Sequence, residues 1–274
     1  MFRSRNKSHH DIEDKFQLHN DKVNELKSVM GPLNGRRLIY CNEACVKRYL
    51  DARNWNVTKA KKMLEESLKW RSTYKPEEIR WPEVSIEGET GKLYKASFRD
   101  RQQRSVLILN PGKQNTKSAS NQIRHLVYLV ENAVLNLPDG VEQMSWLINF
   151  TGWSMANSVS VKCAREIAEI LQSHYPERLA VAFLYNPPRI FEAFWKIVKY
   201  FLDPKTFQKV IFVYPKDSAS VELLKSYFDD ETLPSEFGGK GFESYDHVEF
   251  SRLMAQDDLI TASFWGLEDQ LKIS

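Results

Sequence analysis

The sequence predicts an α/β protein, an N-terminal helical lobe followed by a mixed, largely parallel sheet with helices packed on it. Two observations carry that class. From about residue 91 onward, strand-sized apolar runs alternate with stretches of helical periodicity, the signature of strand–helix–strand crossovers. The first eighty residues, by contrast, read as helical throughout. Length agrees with such a division, since 274 residues are many for one domain and modest for two.

Element by element, residues 10–30 show weak helical periodicity that ends at Gly31-Pro32. Asn42 can cap a helix running to about Arg53, and Asn54 fits its end. Asn56 or Thr58 can cap the next, where Ala60, Met63, Leu64, Ser67, Leu68 and Arg71 recur at helical spacing. Lys75-Pro76 and Trp81-Pro82 punctuate the exit. Strands are expected over 93–98, 105–109, 145–150, 179–185 and 209–214, and helices over 119–137, 158–173, 187–202 and 218–227. Residues 245–273 read as one or two short amphipathic helices packing back.

Apolar residues make up 42% and charged residues 27%, a globular mixture that excludes disordered and collagen-like chains. Mean hydropathy is −0.50, and no run of 18 apolar residues exists to span a membrane. The first fifteen residues are basic without an apolar core, so they are not a secretory signal. Three cysteines are too few and too odd for a disulfide framework, so a reduced, cytoplasmic protein is expected. Cys41 and Cys45 could sit four apart on a helix, but no companion completes a zinc site and packing is their expected role. Net charge is +3. Residues 31–80 carry twelve Lys/Arg against six Asp/Glu, whereas 81–274 carry 21 against 25. A basic segment suits a phosphate or an acidic membrane surface, or is a solvated helix face. No zinc-finger spacing or RNP-type motif points to nucleic acid.

Two features stand out. The helix after Asn186-Pro187-Pro188 is apolar over most of its circumference, where a surface helix has one stripe. Phe191, Phe194, Trp195, Val198 and Phe201 are not expected all to face the interior of one helix 187–202. Arg53 falls on the same helix face as Val46, Tyr49 and Leu50, so it either binds the last carbonyls of its helix or meets an anion. An enzyme alternative rests on Gly152-Trp-Ser154-Met-Ala156, close to a nucleophile elbow, with Asp203 and His247 following in hydrolase order. It lacks the upstream oxyanion segment, and Ala156 replaces the last glycine. His174 reads as a helix-end cation. No P-loop, GxGxxG, HExxH or EF-hand loop is present.

Three short segments remain. They are His174-Tyr-Pro-Glu-Arg178 before one strand, Phe201-Leu-Asp-Pro-Lys-Thr-Phe-Gln-Lys209 before the next, and Leu233-Pro-Ser-Glu-Phe-Gly-Gly239. Each has a structural use alone: Asp203 before Pro204 starts a helix, Pro176 stops one, and Gly238-Gly239 turns the chain. Other marked segments are Val46-Lys-Arg-Tyr-Leu-Asp-Ala-Arg-Asn-Trp-Asn-Val57, QNTKS at 114–118, ENAVLNLP at 131–138 and LYNPP at 184–188. In this order they resemble the CRAL-TRIO lipid-binding family, and within it plant phosphatidylinositol-transfer proteins of the yeast secretory type. The resemblance implies an N-terminal lobe over 1–80, a lipid-binding lobe over 81–245 and a helical tail over 246–274. It also implies a sheet flooring a lipid pocket and a gate helix covering it, placed at 187–202 with Phe191, Phe194, Trp195, Val198 and Phe201.

By the same resemblance the phosphatidylinositol headgroup is met by Arg53, Glu177, Thr206 and Lys209. The chemistry suits those types: a buried phosphodiester wants Arg and Lys donors, and inositol hydroxyls want a carboxylate acceptor. Choline-lipid binders of the family place Ser, Thr and Tyr on the pocket strands, where this chain has Met144, Trp146 and Leu107; a one-residue slip would bring Ser145 in. The expected function is therefore transfer or presentation of phosphatidylinositol by a cytoplasmic monomer that meets membranes transiently. No cofactor, metal or nucleic acid is involved and no chemical turnover occurs. A carrier or sensor of another apolar, sterol-like ligand is the alternative.

Overall fold

Asparagines and glycines divide the start of the chain into four helices: α1 (Arg3–Met30), α2 (Gly35–Tyr40), α3 (Glu43–Ala52) and α4 (Val57–Tyr74). Gly31, at φ +72, ends α1. The Asn42 side chain accepts the Cys45 N–H at 2.9 Å and that of Asn56 accepts Lys59 N–H at 2.9 Å, each satisfying a first-turn donor. The computed structural model describes residues 3–269. It divides into two compact units, Met1–Tyr74 and Lys75–Ser274. The first unit is held by a core that includes Leu26, Val46, Tyr49, Leu50 and Leu64. Cys41 and Cys45 do not share a helix. Cys41 closes α2, Asn42 opens α3, and Cys45 is buried in that core. No group of His, Cys, Asp and Glu among the described residues could hold a metal ion.

In the second unit Trp81-Pro82 starts a helix, α5 (Trp81–Gly88), rather than marking a loop. Proline tolerates the first turn, and Glu83 reaches back to the Arg80 N–H at 3.0 Å. Five strands follow: β1 (Leu93–Arg99), β2 (Ser105–Leu109), β3 (Met144–Asn149), β4 (Leu179–Tyr185) and β5 (Val210–Val213). They lie in chain order; β1 is antiparallel to β2, and every other neighbour is parallel. The connecting helices are α6 (Ala119–Leu135), α7 (Val161–His174), α8 (Phe191–Val198) and α9 (Pro204–Gln208), with α10 (Ser218–Tyr227) and α11 (His247–Trp265) after β5. Crossovers between parallel strands are right-handed, so strands laid down in one direction put their helices on one face. Accordingly α6 packs against α7 and α7 against α8. On the other face Phe183 meets Tyr227 and Phe228 at 5.1 and 6.1 Å between ring centroids. At the β1 edge, Glu243 accepts the Ser97 N–H at 3.1 Å and the Ser97 hydroxyl at 2.7 Å.

The last helix is tied down through a carboxylate. Asp258 of α11 accepts the Trp81 N–H at 2.8 Å and the Tyr128 hydroxyl at 3.0 Å. Burial pushes its pKa up to about 6. Nearby, Lys92 is ion-paired with Glu87 in the interior. Burial, with Lys92 second, holds buried His125 down to about 3. These two shifts act in opposite directions on stability. His125 stays neutral in the fold while the unfolded chain takes up a proton below its ordinary 6.5, so stability is lost as pH falls from 6.5 towards 3. Asp258 takes its proton earlier in the fold than its ordinary 3.8, so stability is gained as pH falls through about 6. We expect His125→Gln to flatten the fall in thermal midpoint between neutral pH and pH ~5, and Asp258→Asn to steepen it. Unfolding curves followed by circular dichroism check this, and unchanged slopes in both variants would contradict it.

Candidate functional site

Residues that precede neighbouring parallel strands meet at one edge of a sheet. Glu177 precedes β4 and Lys209 precedes β5, and their side chains form an ion pair at 3.0 Å. The pair is largely shielded, at 17% and 23% side-chain exposure. Lys205 also reaches Glu177, at 3.7 Å. Spacing could have flagged this second cation, because it stands four residues before Lys209 in the same segment.

Each half of the pair is positioned by its own local device. Pro176 follows the end of α7, and Glu177 then adopts φ +56. That left-handed conformation costs a residue with a Cβ about 1–2 kcal/mol. Its neighbours fix the turn. Tyr175 N–H donates to Leu171 O at 3.0 Å, and Arg178 N–H to Tyr175 O at 3.3 Å. Arg178 also donates to the Glu142 carbonyl and carboxylate, at 2.7 and 2.8 Å. On the other side, Asp203 caps α9, accepting the Thr206 N–H and hydroxyl, both at 2.8 Å. Lys209 follows α9, and its carbonyl accepts the Ala182 N–H of β4 at 2.8 Å. The structure thus gathers Glu177, Thr206 and Lys209 in the second unit. In the first unit Arg53 closes α3 and donates to Ala52 O at 2.9 Å, the helix-end interaction; one such bond uses one of five guanidinium N–H groups.

The helix expected over 187–202 is shorter. Asn186, at φ +51, donates its N–H to Val213 O at 2.8 Å instead of capping. The chain turns through 187–190, and α8 ends in a single 3₁₀ turn, Lys199–Phe201. The expectation that its five large apolar side chains would not share a face is corrected. Phe191 is buried, and Phe194, Trp195, Val198 and Phe201 are half-buried, because their three- and four-residue spacing forms one stripe. Phe191 packs against Phe150 with tilted rings, 4.3 Å between centroids, and lies 5.3 Å from Trp153. The outward apolar residues are Ile190, Ile197 and Tyr200, the last 81% exposed, with Lys196 exposed among them.

Opposite α8, the sheet presents Trp146, Ile148, Ala182, Leu184, Val210 and Phe212. Central strands are normally the driest part of such a sheet. Here Trp146 and Ile148 of β3 are only half-buried, which leaves an apolar wall open to a ligand. Trp146 Nε1 has no hydrogen-bond partner among the described residues. The one-residue slip is excluded. Ser145 points to the other face and donates to Asp100 at 2.7 Å, while Leu107 pairs with Trp146. Leu107 and Met144 are fully buried. No elbow forms at Ser154, which lies exposed within residues 150–160 between β3 and α7 and bonds to Asn157 at 3.3 Å. His247 contacts Tyr245 at 3.1 Å and Asp203 serves as a cap, so the three are not a relay.

An apolar sheet wall beside an aromatic helix, with a charged pair at the strand edge, suits an amphiphile. Residues 88–239 match the family model of the CRAL/TRIO domain, and residues 24–66 that of the CRAL/TRIO N-terminal domain. The chain belongs to the CRAL/TRIO family. It is 36% identical over 212 residues to a CRAL-TRIO domain-containing protein of Schizosaccharomyces pombe, over 77% of this chain and 20% of that one. It is 35% identical over 208 residues to the phosphatidylinositol transfer protein PDR17 of Saccharomyces cerevisiae, over 72% of this chain and 59% of that one. The chain thus spans less than two thirds of either relative. The crystal structure of Sfh5 shares the fold, with a TM-score of 0.63 at 16% identity, covering 89% of this chain and 98% of that one.

The strained turn yields a test. Glycine adopts φ +56 freely, whereas alanine keeps the strain and loses the ion pair. Glu177→Gly should be more stable than Glu177→Ala by about 1 kcal/mol in denaturant unfolding. Alanine equal to or above glycine would show the turn to be unstrained.

Proposed function

We propose that this protein binds phosphatidylinositol between the sheet wall and α8, and that it transfers or presents the lipid between membranes without chemical turnover. It acts as a cytoplasmic monomer that meets membranes transiently. The observation that carries this reading is the Glu177–Lys209 pair, held at 3.0 Å by a strained turn and a capped helix. Without lipid, Glu177 keeps Lys209 from standing unpaired in a shielded site. With lipid, Lys209 donates to the phosphodiester and inositol hydroxyls donate to the Glu177 carboxylate; Arg53 is added as a phosphodiester donor by the family resemblance alone. The Thr206 hydroxyl, already donating to Asp203, offers its lone pairs to the ring. PDR17 is by name a phosphatidylinositol transfer protein, and its kinship supports the reading.

The acyl chains set the remaining demand. Roughly thirty methylenes at ~0.8 kcal/mol each put over about 20 kcal/mol against exposure to water. A carrier must therefore stay closed until it touches a bilayer. Ile190, Ile197 and Tyr200 on the outer face of α8, beside Lys196, form the apolar-and-basic surface such contact needs. A second, sterol-like ligand is favoured by one observation: the Trp146 indole N–H is buried without a partner behind the apolar wall, and a single hydroxyl brought to it would satisfy it. Mass spectrometry of lipid extracted from the purified protein distinguishes the two.

Purified protein should move labelled phosphatidylinositol between vesicles, and phosphatidylcholine weakly, because Met144, Trp146 and Leu107 offer no choline-lipid polar set. Background transfer by folded protein would refute the reading. A charge-assisted hydrogen bond is worth about 1.5–3 kcal/mol. Lys209→Ala and Arg53→Ala should therefore each lower phosphatidylinositol affinity roughly ten- to a hundredfold while sparing ligands without the headgroup. Equal loss of every ligand would reduce Arg53 to a helix-end cation. Ile197→Asp with Tyr200→Asp should weaken vesicle association and leave the thermal midpoint unchanged, since neither side chain is buried.

A further inference from the structure

Helix α2 buries none of its six residues. Its surroundings explain why it forms all the same. A helix this short does not persist in water unaided, and α2 is tethered at both ends. Leu33, before it, and Tyr40, its last residue, pack against the helical core of the first unit. The Tyr40 hydroxyl lies 2.9 Å from that of Tyr49, and the Arg71 guanidinium sits 4.4 Å over the Tyr40 ring. Between the tethers stand Arg36, Arg37, Leu38 and Ile39. Leu38 is 59% exposed and Ile39 37%. Core packing therefore does not account for the adjacent leucine and isoleucine. No Asp or Glu occurs between Glu25 and Glu43, so the apolar tip lies in a stretch whose only charges are positive. The surrounding segment, 31–80, holds the basic excess of the whole chain.

Apolar side chains projecting beside the exposed Arg37, in a stretch of sequence free of Asp and Glu, match one occupant by charge and by chemistry. We propose that α2 is a docking element for an anionic bilayer surface. Leu38 and Ile39 enter the boundary between headgroups and acyl chains, and Arg37 meets lipid phosphate. This inference does not depend on which ligand the pocket holds, and it concerns a different element from α8.

The test uses the full chain and vesicles free of phosphatidylinositol, made of phosphatidylcholine alone or mixed with phosphatidylserine. Wild-type protein should sediment with the mixed vesicles, less so as salt is raised. Leu38→Asp with Ile39→Asp should lose binding roughly tenfold or more. Leu38→Trp keeps an apolar tip, and its added fluorescence should shift to the blue with mixed vesicles and not with phosphatidylcholine alone. Unchanged binding of the double Asp variant, or no shift in a folded Leu38→Trp protein, overturns the proposal. So does a dimer in sedimentation equilibrium that the double Asp variant abolishes while vesicle binding persists, because a second copy would then be the occupant. Loss of phosphatidylinositol transfer by Lys209→Ala would leave each of these results in place.

Discussion

The handedness of the crossovers is the constraint from which the rest of the second unit follows. Strands β2 to β5 advance in one direction, so right-handed connections stack α6, α7 and α8 on a single face. That face receives both the greasy helix and the half-buried wall of Trp146 and Ile148. The opposite face is closed by aromatic contacts such as Phe183 with Tyr227 and Phe228. Open parallel sheets usually bind ligands beyond the carboxyl ends of their strands. Here the charged pair lies at the amino ends of β4 and β5, because the helices that feed those strands finish there.

That location sets the kind of precision available. A residue after a helix and before a strand has both flanks anchored, so a turn of unfavourable backbone geometry can persist. Glu177 is such a residue, fixed by Tyr175 on one side and Arg178 on the other. Lys209 is fixed by a different route, through the Asp203 cap and the bond from Ala182. Neither side chain needs the other to be placed. Their meeting is a property of the backbone, and the ion pair only fills it.

Much of the architecture was legible in the residues. The strands at 105–109 and 179–185 fall where β-branched and aromatic runs end at turn residues, and those signals are local. Helix α5 was hidden because Trp81-Pro82 reads as a break; proline gives the same signal at a helix start and at a helix end. The turn at 187–190 was hidden because Asn186 looks like a cap, while its N–H is spent on Val213. Helix α2 is too short to show periodicity. Glu177 and Lys209 lie 32 residues apart, and no spacing rule joins them; only family resemblance suggested that they belong together. Lys205 escaped although it shares a segment with Lys209, because the resemblance points only to Thr206 and Lys209 there.

The bond between Glu243 and Ser97 bears on how this molecule behaves beside its own copies. β1 ends the sheet, and an uncapped border can recruit a stray strand from another molecule. At Ser97 a newcomer would find the amide already occupied by a carboxylate and a negative charge standing in its path. A concentrated population of these chains therefore meets at that border with repulsion where fibre growth would need a vacant donor.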